Sequence, residues 1–269
     1  MLKKLNTLVI LLILLLVLAI PASAITEINE LDGEDHPCVV LLLMDVDGQP
    51  AYRCSATLLS PTVVLTAGHC TSNYPGSPFT GMRVFTESDV DGGDNTYPDS
   101  GSDNCVEAAE WYAHPLYETA PFFYHDVGVV ILKEPIQLEE YGVLPEVDQL
   151  DPLKTRRGLQ NRTFTAVGYG LQRINPVFVE SDRVRMVAYP RLIQINVPGS
   201  VGDFSLLLSN NHSTGGTCFG DSGGPNFLGD SNVVAGVTSF GKNGNCAGTG
   251  GVFRMDRQDV LDFVRDFLP

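Results

Sequence analysis

The chain has 269 residues, of which 32 are acidic and 17 basic, a formal net charge of −15, with 43% hydrophobic residues. This suits one large or two small globular domains and excludes a disordered or fibrous chain. So acidic a surface repels phosphate backbones and anionic headgroups, which excludes nucleic acid and membrane surfaces as partners.

At the amino terminus, Lys3 and Lys4 precede an uncharged apolar run from Leu8 to Ile20, and Ala22-Ser-Ala24 has the small-x-small pattern of a signal-peptidase site. Residues 1–24 are therefore expected to be a signal peptide. The mature domain would span 25–269, starting at Ile25, in an extracellular or periplasmic setting. A retained anchor is the competing reading, because the stretch from Leu5 to Ala24 is about long enough to cross a bilayer. No comparable run follows, so no stable membrane association is expected once it is removed. Six cysteines, at 38, 54, 70, 105, 218 and 246, read as disulfides in an oxidising compartment, and fifteen connectivities are open. No CxxC or clustered Cys/His spacing points to zinc, so no metal is expected.

From Val39 the chain gives short apolar runs divided by turn signals: Val39 to Met44, Ala56 to Leu59, Val63 to Thr66, Met82 to Phe85, Val127 to Leu132, Phe164 to Val167 and Val233 to Val237. These are strand-length and rich in β-branched residues, which predicts an all-β body. Helical spacing occurs only at the end, where Val260, Phe263, Val264, Phe267 and Leu268 follow Asp256 as a candidate N-cap. Between Glu87 and Asn104 lies an acidic stretch with Asp89, Asp91, Asp94, Asp99 and Asp103. Oxygen-rich loops can bind calcium, but Asp89-x-Asp91-Gly lacks the remaining ligand series, so a solvated loop and no cofactor are expected. Any division into halves falls in the Pro/Asp-rich connection at 134–158.

The chemistry concentrates in Gly216-Thr-Cys-Phe-Gly-Asp-Ser-Gly-Gly-Pro225, where glycines surround Ser222. Glycine lets a substrate approach main-chain N–H groups closely, a fitting setting for a presented hydroxyl. Serine is a poor nucleophile at neutral pH. It needs a base to take its proton and an acid to hold that base. His69, in Thr66-Ala-Gly-His-Cys70, follows an apolar strand and is clamped by an adjacent cysteine. Asp126, in His125-Asp-Val-Gly-Val-Val-Ile-Leu132, precedes a fully apolar run and should be drawn inward, where it needs a partner such as an imidazole N–H. His36, His114 and His212 sit in apparent loops and are expected at the surface; His125 is the competing imidazole.

These three segments, in this order, resemble the signatures of the trypsin/chymotrypsin family of serine proteases. The resemblance implies two six-stranded antiparallel β-barrels with a C-terminal helix and protein or peptide substrates. It implies that His69 is the general base, Asp126 its orienter and Ser222 the nucleophile, with the N–H groups of Gly220 and Ser222 forming the oxyanion hole. The segment Gly220-Asp-Ser-Gly-Gly224 also satisfies G-x-S-x-G, but every histidine precedes Ser222, the wrong order for an α/β-hydrolase.

The same resemblance pairs Cys54 with Cys70 and Cys218 with Cys246; Cys38 and Cys105, for which it supplies no counterpart, are left to each other. Gly168-Tyr-Gly170 looks like the family's Gly-aromatic-Gly segment, and Ser239-Phe240-Gly241 like its substrate-binding strand. Gly216 falls at the pocket floor, where members specific for Arg and Lys carry aspartate, and Gly241 and Gly251 at the walls. This predicts a preference for large apolar or aromatic P1 residues. Typical members free an Ile-Val-Gly-Gly terminus, whereas removal of residues 1–24 would expose Ile25-Thr-Glu-Ile, expected to pair with Asp221. A catalytically silent binding module and an esterase working at the same site are the alternatives.

Overall fold

A computed structural model describes residues 29–72, 79–117, 124–154, 163–174, 179–196 and 204–269. The expected signal peptide and Ile25 lie outside them. The seven apolar runs all fall on strands, to within a residue. After a short β1 (Glu30–Leu31) come β2 (Val39–Val46), β3 (Gln49–Leu58), β4 (Val63–Thr66), β5 (Phe79–Phe85), β6 (Cys105–Ala113) and β7 (Gly128–Leu132). Strands β2 to β7 close into a barrel in the order β2-β3-β4-β7-β6-β5, antiparallel throughout. A one-turn helix α1 (Gly68–Thr71) follows β4.

The second half comprises β8 (Phe164–Gly168), the small hairpin β9 (Arg173–Ile174) and β10 (Val179–Glu180), then β11 (Met186–Ala188), β12 (Leu192–Ile195), β13 (Ser205–Asn210), β14 (Pro225–Leu228), β15 (Val234–Gly241) and β16 (Gly248–Arg254). It is a curled sheet in the order β1-β11-β8-β14-β15-β16-β13-β12. The departure from a closed six-stranded barrel has a local cause. Strands β11 and β12 are two halves of one bent strand, interrupted at Pro190, which has no N–H to give to a ladder. The gap is bridged where Phe164 N donates to Pro190 O at 2.9 Å and Thr163 pairs with Arg191. Strand β1 adds itself at the edge of β11.

One core runs through both halves, from Leu41, Leu65 and Val129 inside the barrel to Val167, Tyr169 and Phe227 in the sheet. The C-terminal helix α2 (Gln258–Arg265) buries Val260, Leu261 and Val264, of which Val260 and Val264 join this core. Its N-cap is Arg257 rather than Asp256. The Asp256 carboxylate instead holds the buried Arg254 guanidinium at 2.8 and 2.7 Å and accepts from Leu150 N. A fully buried cation needs that anion more than a helix end does.

Two other expectations are corrected. His114 is buried, with its ring stacked on His125 and edge-on to Phe263. Cys38 and Cys105 are not paired; disulfides join Cys54 to Cys70 and Cys218 to Cys246, leaving those two as thiols. Register explains it. Leu41 of β2 sits opposite Phe85 of β5, and Phe85 opposite Cys105. Cys105 is therefore two strands, about 10 Å, from β2, and Cys38 lies further along, beyond the roughly 7 Å between Cα atoms that a disulfide spans. Burial pushes both thiols up to about 11, so they stay protonated at neutral pH.

Candidate active site

Strand β4 delivers His69 on α1, and the turn before β7 delivers Asp126. The Asp126 carboxylate is fully buried and accepts three donors: His69 N at 2.9 Å, His69 Nδ1 at 2.9 Å and Ser239 Oγ at 2.5 Å. A carboxylate facing Nδ1 can only accept, so the proton sits on Nδ1 and Nε2 is left as the basic nitrogen. Burial works against a charged imidazole, yet the charge and hydrogen bond of Asp126 outweigh it and raise the His69 pKa above 6.5. Ser239 reaches Asp126 from β15, at a register shift between Thr238 and Phe240.

Ser222 lies in a turn between Cys218 and β14. Asp221 pins that turn from beneath, its Oδ2 accepting from Cys218 N and its Oδ1 from Gly170 N, both at 2.8 Å. A Cβ at Gly168 or Gly170 would collide with the Asp221 carboxylate, which accounts for both glycines. Burial pushes the Asp221 carboxyl up to about 6, against the lowering effect of those two amides and of Arg53. A small cavity of about 10 Å³ adjoins it, lined by Asn29, Gly170, Met186 and Gly216 among others.

Gly220, at φ +99°, and Gly223, at φ +78°, bend the turn through backbone angles that glycine adopts freely. Among the described residues neither Gly220 N nor Ser222 N donates to a protein acceptor. Two unpaired N–H groups beside a serine form a ready site for a developing oxyanion.

Ser222 and His69 line the same two cavities. One cavity, about 300 Å³, is bounded by Thr217, Phe240, Gly241, Thr249, Gly250 and Asn210. The other, about 510 Å³, is bounded by Met44, Tyr52, Arg53, Phe79 and Phe219.

Gly241 lines the first cavity, but Gly251 does not. The Phe240 ring covers it, so that a Cβ there would collide with the ring, and Gly250, opposite Gly241 in register, forms the wall instead. Nor does Gly216 form the exposed floor; the side chain of Asn210 occupies the space its Cβ would need.

Two residues escaped the sequence reading. Ser55 joins the halves: its N donates to Ser222 O at 2.8 Å, its Oγ donates to Gly220 O at 2.9 Å, and that same Oγ accepts from Tyr169 N at 2.9 Å. Its only signal was adjacency to Cys54. Asn210 had none beyond ending an apolar strand. His125 is turned away from Ser222, with Nε2 3.1 Å from Asp259 Oδ2 on α2. In the acidic loop, Glu87 and Asp89 accept from the loop's own amides and Asp91 pairs with Arg183. Cys54, His69 and Cys70 cluster closely enough to suggest a metal site, but both sulfurs are committed to a disulfide.

A two-part β fold that carries an imidazole on a buried carboxylate from one half to a serine turn on the other defines the trypsin-like class. A family model described as Trypsin matches residues 25–262. The chain is 28% identical over 200 residues to brachyurin of Leptuca pugilator, covering 72% of this chain and 78% of that protein. It is 26% identical over 253 residues to a venom serine protease of Polistes dominula, covering 90% and 82%. The solved structure of HL collagenase superposes with a TM-score of 0.66 at 19% identity, covering 86% of this chain and 93% of that one, a likeness of fold. The chain belongs to the trypsin family.

Proposed function

We propose that this protein is a secreted serine endopeptidase. Ser222 Oγ attacks the scissile carbonyl while His69 Nε2 takes its proton, giving a tetrahedral intermediate whose oxyanion is held by Gly220 N and Ser222 N. His69 then passes the proton to the leaving amine, and water enters by the same route in reverse to release the acyl group. Asp126 holds the imidazole in the productive tautomer and stabilises its charged form. The observation that carries this reading is the fully buried Asp126 bonded to both nitrogens of His69 that face it, with two unpaired amides beside Ser222.

Among the described residues, the cavity beside Ser222 has no ionisable lining residue other than His69. A cationic P1 side chain would be buried there without a counter-charge, so large apolar or aromatic P1 residues are preferred. Activation follows from export: removal of residues 1–24 frees the Ile25 amine, which pairs with Asp221 and settles the Ser222 turn.

A fluorophosphonate probe tests the central claim. Labelling of the secreted protein that is lost in Ser222→Ala supports it, and a wild-type protein that does not label is a binding module instead. Parallel peptide and ester substrates rank peptidase against esterase, and an active form starting well away from Ile25 would overturn the activation step.

A further inference from the structure

Strand β13 is buried along its whole length, and the chain reaches the surface only after Asn210. There it turns at once: Asn211 N donates to Gly215 O at 3.3 Å, and Asn211 O accepts from Thr214 N at 3.1 Å and from Gly215 N at 2.9 Å. The tip stands in solvent, with His212 and Ser213 exposed and Asn211 half-buried, before Gly215 and Gly216 return to the interior. The backbone closes this turn by itself, which leaves the side chains at its tip without a part in the packing.

One side-chain contact is made within it. Asn211 Oδ1 accepts from Ser213 N at 2.9 Å, at the surface, in an Asx turn. Only the oxygen end of an amide can accept, so this bond assigns Oδ1 and with it Nδ2. Among the described residues neither Asn211 Nδ2 nor Ser213 Oγ has a hydrogen-bond partner, and Nδ2 is open to solvent rather than stranded in the interior. An unpartnered amide nitrogen followed two residues later by an unpartnered hydroxyl, with His212 rather than proline between, is the acceptor pattern for an N-linked glycan. The other match in the chain, Asn161-Arg-Thr163, has its asparagine outside the described residues.

We propose that Asn211 carries an N-linked glycan. The donor is an oligosaccharide on a lipid pyrophosphate, met in the secretory compartment. Asn211 Nδ2 bonds to the anomeric carbon of the first sugar and gives up one of its two protons, while the bond from that carbon to the pyrophosphate oxygen breaks and its electron pair leaves with the lipid pyrophosphate. Nothing is oxidised or reduced. Asn211 Oδ1 takes no part, so its bond from Ser213 N is kept and the turn holds its shape. A glycan there covers an exposed loop tip, the kind of place where proteolytic nicking concentrates. This rests on the secretion part of the reading above and adds a covalent feature to it.

The test expresses the full chain in insect cells and removes glycans with an amidase that converts the carrying asparagine to aspartate, in water labelled with heavy oxygen. The peptide that holds Asn211 should take up the label in most molecules. Ser213→Ala should abolish the label and Ser213→Thr should keep it, and both retain the backbone N–H that bonds Asn211. Recovery of Asn211 as unmodified asparagine from the secreted wild-type protein overturns the site and leaves secretion and the peptidase reading standing, and label at Asn161 with none at Asn211 does the same. Label that persists at Asn211 in Ser213→Ala reports chemical deamidation and overturns the site too. A chain held in the cytosol with residues 1–24 attached overturns the secretion reading and this site with it.

Discussion

His69 and Asp126 stand on a closed barrel with an interior of Leu, Val and Phe, whereas Ser222 and the pocket stand on a curled sheet interrupted by glycine, proline and buried charge. The barrel must hold two side chains at fixed separation, and closure does that by leaving no strand edge free. In the proposed enzyme the sheet presents backbone amides to an incoming chain, which takes glycines at positive φ and a carboxylate beneath the turn. Its ion pairs Arg185–Asp32 and Arg254–Asp256 are fully buried. Apolar packing thus positions His69, and a polar network positions the Ser222 turn.

The largest effect expected is loss of chemistry from either side. Ser222→Ala or His69→Ala should lower kcat by about 10⁶ and Asp126→Asn by about 10⁴, with melting temperature little changed. A similar rate in any of them would break the division of roles. Next comes the network: Arg185→Met strands Asp32 without its cation and should cost about 3–5 kcal/mol in urea unfolding, with partial recovery in Arg185→Met/Asp32→Asn. Full stability in the single variant would show that the sheet does not depend on buried charge.

Titration distinguishes the halves more finely. In the proposed mechanism His69 must be neutral to act, and its pKa is raised, so kcat/KM should climb with pH through a midpoint above 6.5 and that midpoint should drop in Asp126→Asn. For stability, the raised His69 contributes fully below its unfolded value, and that contribution is lost as pH rises through the folded one. Asp221, raised from 3.8 to about 6, acts in the same sense: its protonated form is favoured by folding, so stability falls as pH rises across that window. The fall should be visible in the melting temperature of the full chain, absent in Asp221→Asn, and absent in the mature form if the Ile25 amine pairs with Asp221.

A smaller change should follow Ser55→Ala, which removes two hydrogen bonds across the junction: about 1–3 kcal/mol of stability, and a lower kcat with KM less affected. Least of all, Cys38→Ala should cost no more than about 1–2 kcal/mol, and the denatured, unreduced protein should titrate two thiols. None titrating would mean that Cys38 and Cys105 are oxidised after all.

Legibility in the sequence followed the same division. The barrel announced itself because β2, β4 and β7 are nearly continuous apolar runs. Strand β6 did not, since most of its side chains are at least partly exposed, and β16 was hidden by its glycines. The three motif residues were legible because each sits in a distinctive local setting. Ser55 and Asn210 were not, because their roles arise from partners 114 to 167 residues away for the one, and from an empty position at Gly216 for the other. A thiol pairing assigned by leftover arithmetic failed because strand order had not yet been supplied.

The two ends of the chain are exchanged between the halves. Strand β1, leading into the barrel, pairs with β11 of the sheet, and α2, leaving the sheet, packs back on the barrel, with Phe267 against Tyr112 and Phe263 against His114. The halves are thus tied at both ends as well as across the Ser55 junction, and the covalent connection between β7 and β8 is only one link among several. A single proteolytic cut there should yield two fragments that remain associated under native conditions and part only in denaturant. Such a molecule behaves mechanically as a ring rather than as two beads on a string.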